Sequence, residues 1–68
     1  MHIKVIIYTY MNKYGREDSE RFSTLQDALK VIARDFNNGF KTPLSLRENT
    51  QFYQQQELLR LCHQFKLL

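Results

Sequence analysis

Apolar residues run almost unbroken from Ile3 to Tyr10, and most are β-branched or aromatic, the composition of a strand. Side chains alternate along a strand. One face therefore carries Ile3, Val5, Ile7 and Thr9, and the other Lys4, Ile6, Tyr8 and Tyr10. Both faces are largely apolar, which predicts a central strand. Asn12, Lys13, Tyr14 and Gly15 read as a turn, with Gly15 free to take positive φ. The polar stretch Glu17 to Phe22 can return as the second arm of a hairpin on a sheet edge. Its charges would discourage edge-to-edge pairing.

The helical period is clearest next. Leu25, Ala28, Leu29, Ile32, Ala33 and Phe36 recur at spacings of three and four. Ser23 and Thr24 are both good N-caps, with Gln26 and Asp27 three residues beyond them. Asn37, Asn38 and Gly39 supply a left-handed exit. The pattern predicts a helix over 24–38. After Pro43, Leu44 and Leu46 alternate with Ser45 and Arg47 as a short strand, and Glu48 to Thr50 form a turn. Phe52 and Tyr53 fit either a brief return strand or the lead-in to a second helix. From Gln55 the stripe Leu58, Leu61, Cys62, Phe65 and Leu68 is helical, with Lys66 suited to the negative end of the dipole. No glycine closes this helix, so its last turn is expected to fray.

The sum is an α+β fold in one domain over residues 1–68, in the order β-β-α-β-(β)-α. Its simplest form is a small antiparallel or mixed sheet of three to four strands with two helices on one face. Leu29, Ile32, Phe36, Leu61 and Phe65 can build the core. If Ile3, Val5 and Ile7 face the helices, then Ile6, Tyr8 and Tyr10 lie on the far side, and Tyr14 at the turn extends that surface. Such an aromatic cluster, uncovered by a third layer, would be a protein-contact surface. Alternatively the tyrosines merely stiffen a solvated sheet.

Length sharpens the question of partners. A chain of 68 residues buries only about 60% of the surface it exposes when unfolded. No disulfide is possible with Cys62 alone, and Cys62, His63 and His2 do not make a metal site. An unusually good core, a second copy of the chain or another protein must supply the balance. The lone cysteine and the lack of a signal-peptide pattern or a membrane-length apolar run point to a cytoplasmic protein with no membrane partner.

The net charge is +3, from ten basic and seven acidic residues, and the signs are interleaved. Lys41 and Arg47 follow one another without an acid between, and that is only two charges. A nucleic-acid interface would draw on Lys4, Lys13, Arg16, Lys41 and Arg47, although the RNP-type aromatic signature of RNA-binding sheets is absent. Cys62–His63 is the one pairing that hints at catalysis. Neighbours on a helix point about 100° apart, and Cys62 sits on the apolar stripe toward the negative helix end. It therefore reads as a buried small hydrophobe beside a solvent-facing histidine. No phosphate loop, zinc, EF-hand or nucleophile-elbow spacing occurs. These features predict a protein that is not an enzyme and carries no cofactor.

The stretch from Phe22 through the helix to Leu46 resembles the middle of short uncharacterised proteins encoded by phages and mobile elements of Gram-positive bacteria. There an N-terminal strand, a "TLxxALxxIAxDF" helix, an "NNGxxTP" exit and a tyrosine-then-helix ending recur, matched here as far as Tyr53 and Glu57-Leu58. The resemblance implies a phage-type accessory protein, in the host cytoplasm, that binds a host protein and inhibits it sterically, anti-CRISPR proteins among them. It assigns no functional residues.

Overall fold

The computed structural model describes residues 5–68. Its elements are β1 (Ile6–Met11), β2 (Glu17–Phe22), α1 (Leu25–Asn38), β3 (Thr42–Glu48), β4 (Gln51–Gln54) and α2 (Gln55–Gln64). The four strands form one sheet in the order β2-β1-β3-β4, antiparallel throughout, and both helices pack on the same face of it. This is the α+β order read from the sequence. Residues 51–54 resolve as a strand, and β1 lies in the interior of the sheet. β2 and β3, the strands that α1 joins, both run antiparallel to β1 and are therefore parallel to each other, so β2-α1-β3 is a crossover past β1 of the kind that the right-handed rule governs.

Local signals explain the boundaries. The Thr24 hydroxyl accepts from the Asp27 N–H at 3.2 Å, and Gly39 (φ 75°) ends α1 by donating its N–H to the Asp35 carbonyl at 3.0 Å. The Gln54 N–H donates to the Glu57 carboxylate at the start of α2, at 3.3 Å. The end of α2 differs from expectation. Lys66 takes φ 57°, its N–H reaches the His63 carbonyl, and the Leu67 N–H reaches the Cys62 carbonyl at 2.8 Å. That is a Schellman closure with lysine in the left-handed position. Packing of Leu67 against the core holds it there in place of a frayed turn.

The faces of β1 are the reverse of those the contact-surface reading required. Ile6, Tyr8 and Tyr10 point toward the helices and are buried, with Ile6 and Tyr8 fully enclosed. Ile7 and Thr9 face the open side and are half-buried, and Val5 is exposed. The face that carries Ile6, Tyr8 and Tyr10 is therefore turned into the core and is not an open contact surface. Tyr8 decides the orientation, because its phenol needs a partner when buried and finds one on α1: Tyr8 Oη donates to Asp35 Oδ2 at 2.9 Å. The Tyr8 and Tyr10 rings pack at 5.2 Å with a 42° tilt.

The core also holds Ala28, Leu29, Ile32, Ala33, Leu46, Leu58 and Cys62. Phe36 and Leu61 pack at its margin. Phe65, expected inside, is 47% exposed, because the chain turns left-handed just after it and seats Leu67 instead. Pro43 and Leu46 are both buried although three residues apart. The bulge between the Thr9–Ser45 and Tyr10–Pro43 pairs inserts Leu44 and turns both side chains to one face. Proline is tolerated here because β4 pairs only with Ser45–Glu48, and Gln55 Nε2 donates to the Pro43 carbonyl at 2.7 Å.

Candidate functional site

The hairpin joining β1 to β2 is built around Asn12. Its side-chain oxygen accepts from the N–H groups of Tyr14 (2.9 Å) and Arg16 (3.1 Å), and its backbone N–H reaches the Arg16 carbonyl at 2.8 Å. Gly15, at φ 77°, completes the turn. Tyr14 is thereby held at the tip, 76% exposed, with the Lys13 ammonium 5.2 Å from its ring centre. Across from it, the exit of α1 delivers Phe40 into solvent at 71% exposure. These two aromatics and the intervening Asn12, Lys13 and Lys41 line a groove of about 350 Å³, floored by Tyr10 and rimmed by Asp18.

Lys41 belongs to both the groove and the core edge. Its ammonium donates to Glu20 at 3.0 Å and lies 4.5 Å from the centre of the Tyr10 ring. The bond to Glu20 raises its pKa, opposed by partial burial. Burial also raises the Tyr10 phenol, with the Lys41 charge pulling the other way. At neutral pH the groove thus holds the Lys41 ammonium over the neutral Tyr10 phenol.

Of the residues proposed from the sequence for nucleic acid, Lys13 and Lys41 share this groove, and Arg16 stands beside Asn12 and Tyr14. Arg47 pairs with Ile7 toward the other end of the strands and projects to the open face. Lys4 lies outside the described residues. The four described ones do not make one patch. Tyr14 alone survives from the aromatic set as an exposed side chain. Phe40 was missed, and its signal was an aromatic placed directly after the helix exit, where neither period claims it.

Cys62 is fully buried, and its thiol meets the Leu29 carbonyl at 3.8 Å. Burial pushes the thiol pKa up, so it stays protonated at neutral pH. His63, next along the helix, is exposed. Cys62 in the native protein should react with iodoacetamide roughly 100-fold or more slowly than in urea, the factor set by an opening free energy of about 3 kcal/mol. Equal rates would put the thiol at the surface.

No group of three or more histidine, cysteine or acidic side chains among the described residues could hold a metal ion, and no helix among them is long and apolar enough to cross a membrane. The fold defines a two-layer α+β sandwich, with its helices over one sheet face and a loop-built groove at one end. Comparison with protein-family models, curated proteins and solved structures returns no significant match.

Proposed function

We propose that this chain is a small binding protein without catalytic activity, acting by occupying the surface of a partner protein through its hairpin end. The observation that carries this reading is the Tyr14–Phe40 pair. Two segments distant in sequence each present an aromatic at more than 70% exposure to the same groove. Neither ring stiffens the sheet or fills the core, and exposed aromatic clusters mark contact sites. Each ring still has on the order of 100 Å² to bury, worth about 2–3 kcal/mol on association. Lys13 adds a cation beside Tyr14, which suits a partner surface carrying carboxylates. The likeness of residues 22–46 to phage and mobile-element proteins supports a host protein as that partner and steric inhibition as the outcome.

The test is affinity capture from nuclease-treated host lysate, comparing the native chain with Tyr14→Ala/Phe40→Ala. The double variant should fold normally, since substitutions at exposed sites usually cost within about 0.5 kcal/mol. It should lose the captured protein almost entirely. A folded double variant that retains the same partner moves the contact elsewhere.

A further inference from the structure

Among the described residues the sheet face turned away from the helices has no covering layer, and its side chains are ordered in rows by the register. One row runs Arg21, Ile7, Arg47, Phe52 across β2, β1, β3 and β4. The next runs Ser19, Thr9, Ser45, Gln54. Arg21 and Arg47 are exposed, and neither forms an ion pair among the described residues. Phe52 is 50% exposed at the end of the row. The acidic residue on this face, Glu17, sits opposite Met11 at the hairpin end, away from both arginines. With strands about 4.8 Å apart, the two arginines stand roughly 10 Å from one another across Ile7, and the phenylalanine lies about 5 Å beyond Arg47.

We infer that this open face binds single-stranded nucleic acid, with Arg21 and Arg47 on the phosphates and Phe52 under a base. Two unpaired guanidiniums, uncharged hydroxyl and amide donors in the adjoining row, and an aromatic at its edge match a chain of phosphates bearing planar bases. A second copy fits poorly, because stacking two such faces would gather four arginines into a low-dielectric interface with few acids to meet them. Duplex also fits poorly. Four strands span about 14 Å, wider than the roughly 12 Å major groove, and a base must leave its stack to reach Phe52. This surface and the Tyr14–Phe40 groove are separate sites, and either can stand without the other.

The test is fluorescence anisotropy with labelled twelve-nucleotide oligothymidylate and oligouridylate, and a hairpin duplex of equal length, at several salt concentrations. The single strands should bind more tightly than the duplex. Two phosphate contacts give a log–log salt slope of about −1.4, from about 0.7 per phosphate. Arg21→Gln and Arg47→Gln should each reduce the slope by about 0.7. Phe52→Ala should weaken binding by roughly 5- to 100-fold and leave the slope unchanged. Tyr14→Ala/Phe40→Ala should bind the oligonucleotides as the native protein does, which separates this site from the groove. The inference is overturned by no binding at 50 mM salt with protein at about 100 μM, the weak end of non-specific affinity. It is equally overturned by an affinity unchanged in folded Arg21→Gln/Arg47→Gln, by preference for duplex, or by a dimer in sedimentation that the same double variant dissolves.

Discussion

Tyr8→Ala is expected to leave the protein unfolded at 25 °C. The ring is fully enclosed between sheet and helices, and truncating a buried aromatic to alanine costs about 3–5 kcal/mol. The same change removes the phenol that donates to the buried Asp35 carboxylate at 2.9 Å. An unsatisfied buried acceptor adds about 1–3 kcal/mol. A core of this size seldom supplies more than roughly 3–5 kcal/mol in total, so the loss matches or exceeds the reserve. Far-UV circular dichroism and amide dispersion in a two-dimensional NMR spectrum would report it directly, with Tyr14→Ala as the folded control. A well-dispersed native spectrum from Tyr8→Ala would show that the ring faces solvent, and would restore the tyrosine-face contact surface that the burial of Ile6, Tyr8 and Tyr10 removes.

The second large effect is alkaline unfolding. Burial first, and then the hydrogen bond and charge of Asp35, keep the Tyr8 phenol protonated far above the ordinary tyrosine pKa of 10.0, with Glu20 and Tyr10 acting in the same direction. Cys62 and Tyr10 are raised by burial, and Lys41 is raised by its bond to Glu20. All four groups hold their protons more tightly when folded than when unfolded. Their contributions are therefore fully present below the unfolded pKa values and are lost as pH rises above them. Cys62 acts first, from near its ordinary 9.0, then the tyrosines, then Lys41, whose partial exposure makes its share the smallest. Above pH 10, Tyr8 alone removes about 1.4 kcal/mol per pH unit. Urea midpoints should be level from pH 7 to about 8.5 and fall steeply beyond it. Tyr8→Phe should be less stable by about 1–3 kcal/mol at pH 7, since Asp35 loses its donor, yet should show a shallower decline above pH 10. A native midpoint unchanged between pH 7 and 10.5 would mean that the buried phenol and thiol are not shielded from hydroxide.

The two surfaces differ in how much of them could be read from the chain. Tyr14 is visible as an aromatic inside a glycine turn, and its exposure follows from the turn itself. Phe40 carries the complementary signal, an aromatic stranded just past a helix exit, but only the fold shows that the two meet across one groove. The Arg21–Ile7–Arg47–Phe52 row is spread over four strands and has no sequence signature. It exists because three separate registers align those positions, and register is set by turns, the Leu44 bulge and core packing together.

Short-range chemistry in the sequence determined the hairpin at Asn12 to Gly15, the helix between the Thr24 cap and the Gly39 exit, and the order β-β-α-β-(β)-α, with β4 left open between strand and helix until the sheet paired it with β3. Each depends on contacts within a few residues of its own position. Which face of β1 is buried was decided by the tertiary structure. Alternation separates Ile7 and Thr9 from Ile6, Tyr8 and Tyr10, but with apolar residues in both sets it does not say which meets the helices. The choice fell to Tyr8, whose hydroxyl can enter a core only opposite an acceptor, and Asp35 supplies that acceptor from 27 residues away.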